Sequence, residues 1–275
     1  DYAYVTNYMG LALAIMDISD PLNPGQPVFV NLGGYTYDVA VSGNYVYVAA
    51  GSKGLAVIDI SDPLHPGAPV YLAMEHTAMA LALQGNYAYV GVATNRLAIV
   101  DITIPLNPVK IGEDLVLTDA SMQAVAAAGN YVYAAAGSQG LAVIDVSDPA
   151  NPGDPVFCSV TGIAGDITLQ GNYAYVAAGT SGLAVVDVSN PAVPGEPVYM
   201  NTISRAIGVA RAGNSAYVTV ENRGLAVIDV SDPESPGAPV FLPVSGQFRG
   251  VASRENYAFV AAASNGLAVM NIALP

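Results

Sequence analysis

Short apolar runs and turn-forming residues alternate along the whole chain. In one segment, apolar runs at residues 37–42, 45–50, 55–60 and 69–73 are separated by Ser-Gly-Asn, Gly-Ser-Lys-Gly and Asp-Pro-Leu-His-Pro-Gly. Runs of four to six residues rich in valine, isoleucine and tyrosine, bounded by such turns, are typical of β-strands. We therefore predict four consecutive strands in this segment, A to D in chain order.

The four-strand pattern recurs with a period of about 42 residues. A phrase close to Gly-Asn-Tyr marks each repeat, with spacings of 42, 44, 42, 42 and 42 residues, and Asp1 takes the same place 43 residues before the first of these asparagines. Repeated units of four antiparallel strands are typical of β-propeller blades. The fold class is therefore predicted to be an all-β propeller with four-stranded antiparallel blades. The asparagines are Asn44, Asn86, Asn130, Asn172, Asn214 and Asn256.

The number of strands predicts the number of blades. Strands B and C occur seven times, whereas A and D occur six times, which favours seven blades. A six-bladed ring, the alternative, would leave one hairpin with two apolar faces in water. The first blade then lacks strand A and the last lacks strand D. Either residues 1–275 are a single propeller domain excised from a longer chain that supplies these strands, or an open edge accepts a strand from another subunit.

Strand B shows the alternation of a strand that is buried on both sides. Tyr45 and Tyr47 fall on one face, and Val46 and Val48 fall on the other. We interpret the tyrosines as packing between neighbouring blades. A stacking platform for sugars or bases would require the same residues to be exposed.

Composition and charge exclude several classes of function. The chain has 8 basic and 22 acidic residues, a net charge of −14, which opposes binding to nucleic acid and to anionic membranes. No apolar stretch is long enough for a transmembrane helix. A single cysteine excludes a thiolate metal site, and two histidines exclude a histidine-based one.

The charges divide unevenly between the two predicted faces. The face with the A–B turns and C–D loops carries 15 acidic and three basic residues. The face with the B–C and D–A loops carries seven acidic and five basic residues. Varied side chains on the mixed-charge face suit recognition of a ligand or partner. The candidate binding residues, at the predicted mouth of the channel, are Tyr35, Tyr37, Asp38, His76, Asp119, Asp166, Arg205 and Arg249.

The repeated Asp-x-Ser-Asp-Pro phrase has two interpretations. Its side chains suit hydrogen bonds to backbone N–H groups within a turn. Alternatively its carboxylates bind Ca²⁺, although the spacing lacks the closing glutamate of a known calcium loop. No other cofactor is predicted. The calcium candidates are Asp59, Asp62, Asp145 and Asp148.

The phrase Gly-Leu-Ala-Val-Ile-Asp-Ile-Ser-Asp-Pro at residues 54–63 resembles the LVIVD repeat family. Near copies stand at residues 140–149, 182–191 and 224–233. The third repeat departs from it with Arg96 in place of glycine and the first carries extra residues at 11–16, which predicts local bulges or altered loops. The resemblance implies a β-propeller that is secreted or attached to the cell surface of a bacterium or archaeon, and it implies no reaction.

These observations favour a binding or scaffolding module over an enzyme. No nucleophile motif accompanies His76. We therefore expect a non-catalytic extracellular or cell-surface propeller whose partner is a protein or another copy of itself. A carbohydrate-binding module is the alternative. A glycan-acting enzyme using Asp38 and Asp166 is a more remote alternative. Glycoside hydrolysis needs two carboxylates about 5 to 9.5 Å apart, and we expect opposite sides of a seven-bladed channel to be farther apart than that.

Overall fold

The computed structural model describes residues 1–117, 122–243, 246–262 and 266–272. In this part of the chain all regular secondary structure consists of short β-strands. No helix among these residues is long and apolar enough to cross a membrane.

The strands form seven antiparallel sheets within the described residues. Most sheets have four strands, and hydrogen-bonded neighbours follow one another in chain order. The sheets are β1 (Tyr2–Asn7), β2 (Ala12–Asp17) and β3 (Val28–Asn31); β4 (Asp38–Ser42), β5 (Tyr45–Ala49), β6 (Leu55–Asp59) and β7 (Val70–Leu72); β8 (Ala78–Gln84), β9 (Tyr87–Val92), β10 (Arg96–Asp101) and β11 (Val109–Val116); β12 (Ala124–Ala128), β13 (Tyr131–Ala135), β14 (Leu141–Asp145) and β15 (Val156–Cys158); β16 (Asp166–Gln170), β17 (Tyr173–Ala177), β18 (Leu183–Asp187) and β19 (Val198–Met200); β20 (Ala206–Ala212), β21 (Ser215–Val220), β22 (Gly224–Asp229) and β23 (Val240–Leu242); and β24 (Gly250–Arg254), β25 (Tyr257–Ala261) and β26 (Leu267–Asn271).

Seven sheets make the fold a seven-bladed β-propeller and confirm the predicted repeat. The observed strands of the second blade differ from the predicted runs by at most one residue at either end. Among the residues that the structure describes, the first sheet has three strands, and so has the last, as the strand count predicted. The six-bladed alternative is wrong, because the spare hairpin of that scheme is the seventh sheet.

The chain divides by its contacts into two compact units. One comprises Asp1–Val132 and Asp145–Asp154, and the other comprises Tyr133–Ile144 and Pro155–Pro275. The first unit contains the first three sheets, and the second contains the last three. Strands of the fourth sheet belong to both.

Within each unit the core consists of apolar side chains between neighbouring sheets. In the first unit, Tyr47 of β5 is buried against Leu81 and Val90 of the third blade. Val46, on the opposite face of β5, is buried against Leu13 of the first blade. This arrangement confirms that strand B is covered on both faces and that Tyr47 packs between blades.

Departures from the repeat lie where the sequence breaks the pattern and at two unpredicted places. The ladder between β10 and β11 shifts register between Leu97 and Ile99, which confirms the irregularity expected in the third repeat. In the first repeat β1 and β2 pair regularly, and the altered element is the turn at residues 8–11. The unpredicted bulges lie in the inner strands β8, between Ala78 and Ala80, and β20, between Ala206 and Gly208.

Two leucines of the second blade allow a matched test of this core. Leu55 on β6 is fully buried, whereas Leu64 in the following loop is 50% exposed. We expect Leu55→Ala to lower the free energy of unfolding by roughly 2 to 5 kcal/mol, because it leaves a cavity between sheets. Leu64→Ala should change it by less than about 0.5 kcal/mol. Urea denaturation of both variants measures this, and equal losses would contradict the described core.

Candidate functional site

The predicted binding residues lie on segments that lead into inner strands. Tyr35 and Tyr37 precede β4, and His76 lies in the loop before β8. Arg205 and Arg249 are exposed directly before β20 and β24. Asp38 and Asp166 are the first residues of β4 and β16. Asp119 lies outside the described residues.

Three tyrosines form a cluster in the first unit. The ring of Tyr8, in the turn between β1 and β2, stacks on Tyr35 with centroids 4.5 Å apart and an angle of 14° between planes. The ring of Tyr37 meets Tyr8 edge to face at 5.3 Å. Tyr8 and Tyr35 are 45% and 50% exposed, and Met9 beside them is also exposed. We call Tyr8, Tyr35 and Tyr37 the tyrosine cluster.

Backbone contacts fix the loop that carries two of these tyrosines. The buried hydroxyl of Thr36 donates to the Ala12 carbonyl at 3.3 Å, and the Tyr37 N–H donates to the Ala49 carbonyl at 3.0 Å. A side chain at Gly51, whose φ is +56°, would lie 2.8 Å from the Tyr35 carbonyl oxygen and 3.3 Å from the Tyr37 ring. Only glycine fits this close approach. The aromatic rings are therefore held on an ordered loop.

A shallow groove of about 640 Å³ borders the same loop. Its polar groups include the side chains of Asn31, Ser52 and Lys53, and the ring of Tyr71 forms part of its wall. The Tyr71 hydroxyl donates to the Leu32 carbonyl at 3.1 Å, which joins the outer strand of the second blade to the loop. Aromatic, amide, hydroxyl and ammonium groups thus lie close together on one surface of the first unit.

Asp38 connects neighbouring blades. Its Oδ1 accepts the N–H of Val39 and its Oδ2 accepts the N–H of Leu81 on β8, both at 2.8 Å. Leu81 follows the bulge of β8. The inner strand is the edge of its sheet, so some of its N–H groups have no partner in the ladder. Burial raises the pKa of Asp38 to about 6, although the two N–H donors act in the opposite direction.

Asp166 makes the same connection in the second unit. Its carboxylate accepts the N–H groups of Ile167 and of Val209 on β20, again at 2.8 Å. Val209 also follows a bulge, and a side chain at Gly208 would meet Asp166 Oδ2 at 3.4 Å. The two predicted carboxylates therefore share one structural arrangement. Each spans from one inner strand to a bulged neighbour that has a small residue, Ala80 or Gly208, at the bulge.

The calcium candidates are engaged within their own turns. Asp59 and Asp145 accept the N–H of the serine two positions on at 2.8 Å, and these serines lower the pKa of both carboxyls. Asp62 accepts from His65 and Leu64, and Asp148 accepts from Asn151 and Ala150, so that their pKa values are lowered too. These contacts confirm the turn interpretation. Among the described residues, no three His, Cys, Asp or Glu side chains form a group that could hold a metal ion.

Sequence reasoning missed Tyr8. Its ring joins Tyr35 and Tyr37 only through space, across 27 residues of chain. A signal was present, because the B–C hairpin of the first repeat is one residue longer than that of the second, 16 residues at 2–17 against 15 at 45–59, and Tyr8 and Met9 fall in its turn. An apolar pair in a turn that elsewhere contains glycine and serine is unusual enough to be singled out.

Comparison with known families gives one result along the entire chain. The LVIVD repeat model matches residues 1–29, 33–68, 76–113, 120–154, 161–202, 205–238 and 245–274. These seven segments correspond to the seven sheets. No curated protein matches the sequence.

Solved structures show the same fold at low sequence identity. The WD40 repeats of RRP9 superpose with a TM-score of 0.79 at 10% identity, covering 98% of this chain and 90% of that one. A functionally unknown protein from Desulfotomaculum acetoxidans DSM 771 superposes with a TM-score of 0.78 at 15% identity, covering 99% of this chain and 92% of that one. A chain of the Mitotic Checkpoint Complex superposes with a TM-score of 0.78 at 13% identity, covering 98% of this chain and 84% of that one.

The carboxylate of Asp38 predicts how stability depends on pH. Because its pKa is higher in the folded chain, about 6 against 3.8 for an ordinary aspartate, the folded state binds the proton more tightly. Protonation of Asp38 therefore stabilises the folded chain, fully below about pH 4, and this contribution is lost as the pH rises through 6. Between pH 7 and pH 5, we expect this group to add on the order of 1 kcal/mol to the free energy of unfolding.

Two variants isolate this contribution. Urea denaturation at pH 5, 6 and 7 should show a smaller gain on acidification for Asp38→Asn than for the unaltered chain. Asp59→Asn, which removes an exposed carboxylate of lowered pKa, should retain the full gain over this range. An unchanged pH dependence in Asp38→Asn would contradict the assignment.

Proposed function

Because this chain belongs to the LVIVD repeat family, we propose that it is a non-catalytic propeller module that binds a protein partner at or outside the cell surface. The observation that carries the proposal is the tyrosine cluster, in which the exposed ring of Tyr8 stacks on the exposed ring of Tyr35, and Tyr35 lies on a fixed loop. The fold provides a rigid support, and the residues that differ between repeats provide the specificity.

The cluster has the properties of a protein contact. Tyrosine is enriched among the residues that contribute most to binding, since it buries a large rigid area at little cost in conformational entropy. Tyr8 and Tyr35 are already ordered by each other, so that little freedom remains to be lost on binding. Met9 adds a flexible apolar side chain that adapts to the partner surface.

The carboxylates that an enzyme would use support the non-catalytic proposal. Asp38 and Asp166 each accept N–H groups from their own strand and from the next blade. A carboxylate held in this way is occupied by packing between blades. Asp62 and His65 form an exposed pair at 2.9 Å within one turn.

The nature of the structural neighbours is consistent with this proposal. One of them is a chain of an assembly, the Mitotic Checkpoint Complex. At 13% identity this similarity concerns the fold alone and does not identify a partner. The extracellular or cell-surface location is part of the proposal and rests on the family resemblance of the repeat.

Carbohydrate binding is the second candidate function, and the groove beside the cluster favours it. Asn31, Ser52 and Lys53 line the groove and offer hydrogen-bonding groups to hydroxyls, and sugars stack on exposed aromatic rings. A glycan would use Tyr35 and these polar groups together, whereas a protein partner would use the whole cluster with Met9.

Crosslinking at the cluster tests the proposal. A benzophenone amino acid at position 35 should form adducts with a protein when the chain is incubated with the envelope and medium fractions of its source culture. The same group at position 29, where Phe29 is 57% exposed on the outer strand β3, is the matched control. Adducts of equal yield at both positions would contradict a specific contact.

The recovered partner then allows a quantitative prediction. We expect Tyr35→Ala to weaken its binding at least tenfold in titration calorimetry, about 1.4 kcal/mol or more, whereas Phe29→Ala should leave it unchanged. If no protein is recovered and a glycan array shows binding that Tyr35→Ala removes, the carbohydrate alternative replaces the first.

Self-assembly is distinguished by the mass in solution. Light scattering during size-exclusion chromatography should give 28.0 kDa at every concentration if the partner is a different protein. A mass that rises with concentration would identify a second copy of the chain as the partner. The measurement should be repeated with calcium, because a calcium-dependent mass would contradict the turn interpretation of the aspartates.

A further inference from the structure

Two exposed tyrosines of the first unit lie in direct stacking contact. The rings of Tyr8 and Tyr35 have centroids 4.5 Å apart and an angle of 14° between planes, and the residues are 45% and 50% exposed. Tyr87 and Tyr89, by comparison, meet at 6.5 Å and 50°, and Tyr89 is buried. Tyr8 and Tyr35 are therefore both close to each other and open to a reagent in solution.

Hydrogen bonds hold the two segments that carry these rings. The Asn7 Oδ1 accepts the Gly10 N–H at 2.8 Å, which closes the turn between β1 and β2. The Leu32 N–H donates to the Leu11 carbonyl at 2.8 Å, which joins the end of that turn to the loop three residues before Tyr35. The stacked geometry is thus maintained by the main chain as well as by the contact between the rings.

The hydroxyl groups of the stacked pair lie near a common point. Burial raises the pKa of Tyr37, and a hydrogen bond with the Tyr8 hydroxyl and the nearby charges of Tyr8 and Tyr35 raise it further. Both hydroxyls are therefore near the Tyr37 hydroxyl. The ortho carbons, which adjoin the hydroxyl-bearing carbon of each ring, consequently lie toward the same end of the stack.

A stacked pair of phenols with this orientation suits oxidative coupling. A peroxidase removes one electron and one proton from each phenol O–H, and these reduce one hydrogen peroxide to two waters. The two phenoxyl radicals then couple through a new C–C bond between their ortho carbons. Each ortho carbon loses a proton and each ring oxygen regains one, so that the dityrosine product has two hydrogens fewer than the two tyrosines.

The fixed contact favours coupling within one molecule. A radical that is already held against its partner reacts as in a unimolecular step, without waiting for a second molecule to arrive by diffusion. The sequence contains one cysteine, so these 275 residues form no disulfide among themselves. A link between tyrosines is the covalent constraint that oxidation can introduce here.

We propose that Tyr8 and Tyr35 are a site of oxidative modification, at which a peroxidase and hydrogen peroxide join the first blade to the loop before the second by a dityrosine bond. The bond would close residues 8 to 35 into a loop and reduce the conformational entropy of the unfolded chain, as a disulfide does. The modification needs no binding partner, so that this proposal and the proposed function can fail separately.

Peptide mapping tests the site. Cleavage before aspartates releases residues 1–16 and 20–37 as separate peptides. After treatment of the protein at micromolar concentration with peroxidase and hydrogen peroxide, we expect the two peptides to be joined with the loss of two hydrogens. Fragment spectra should place the bond at Tyr8 and Tyr35. In a mixture of ¹⁵N-labelled and unlabelled protein, joined peptides should carry a single label, because the bond forms within one molecule.

Matched variants locate the bond. Tyr8→Phe and Tyr35→Phe keep the ring and remove the O–H that is oxidised, so each should lower the yield of the joined peptide at least tenfold. Tyr199→Phe alters a tyrosine of the second unit that is 36% exposed and should retain the yield. Absence of the joined peptide, mixed labels within it, or a full yield from Tyr8→Phe would overturn the proposal.

Thermal unfolding tests the effect of the bond. The melting temperature of the treated protein should rise by on the order of 5 °C, because the closed loop restricts the unfolded chain. Treated Tyr8→Phe should show no such rise, which controls for oxidation elsewhere, including at Met9. An equal melting temperature in the treated and untreated protein would contradict the stabilising role.

Discussion

Every part of this molecule depends on the requirement that a strongly apolar sheet be covered on both faces. Strand B of a blade places tyrosine on one face and valine on the other, and neither can remain in water at low cost. In the second blade Tyr47 packs against the third blade and Val46 against the first. A single repeat therefore has no stable form by itself, and neighbouring repeats supply the missing cover.

Packing between blades also explains the behaviour of the inner strands. An inner strand forms the edge of its sheet, so some of its N–H groups need a partner from elsewhere. Asp38 and Asp166 provide that partner for Leu81 and Val209, and each spans to a strand that bulges. These hydrogen bonds offset only part of the desolvation of the Asp38 carboxylate. Residues first considered for ligand binding thus contribute to joining the blades.

The fold could be predicted from the sequence almost completely, because a 42-residue period and alternating apolar positions each leave little choice of structure. The bulges in β8 and β20 could not, since they depend on a carboxylate 43 residues earlier in the chain and on small residues at Ala80 and Gly208. The tyrosine cluster was predicted in part. Tyr35 and Tyr37 stand out in the chain, but the stacking of Tyr8 on them is a contact in space.

The aspartates at the ends of the third strands set the response of the surface to acid. In six blades this carboxylate is hydrogen-bonded by the residue two positions on, through its N–H and its hydroxyl, and its pKa is lowered for that reason; the six are Asp17, Asp59, Asp101, Asp145, Asp187 and Asp229. Ordinary surface carboxylates lose their charge near pH 4. These six carboxyls therefore stay ionised to a lower pH than ordinary surface carboxylates do. Acid should therefore neutralise ordinary surface carboxylates before it breaks the hydrogen bonds that these six aspartates make in the turns after the third strands.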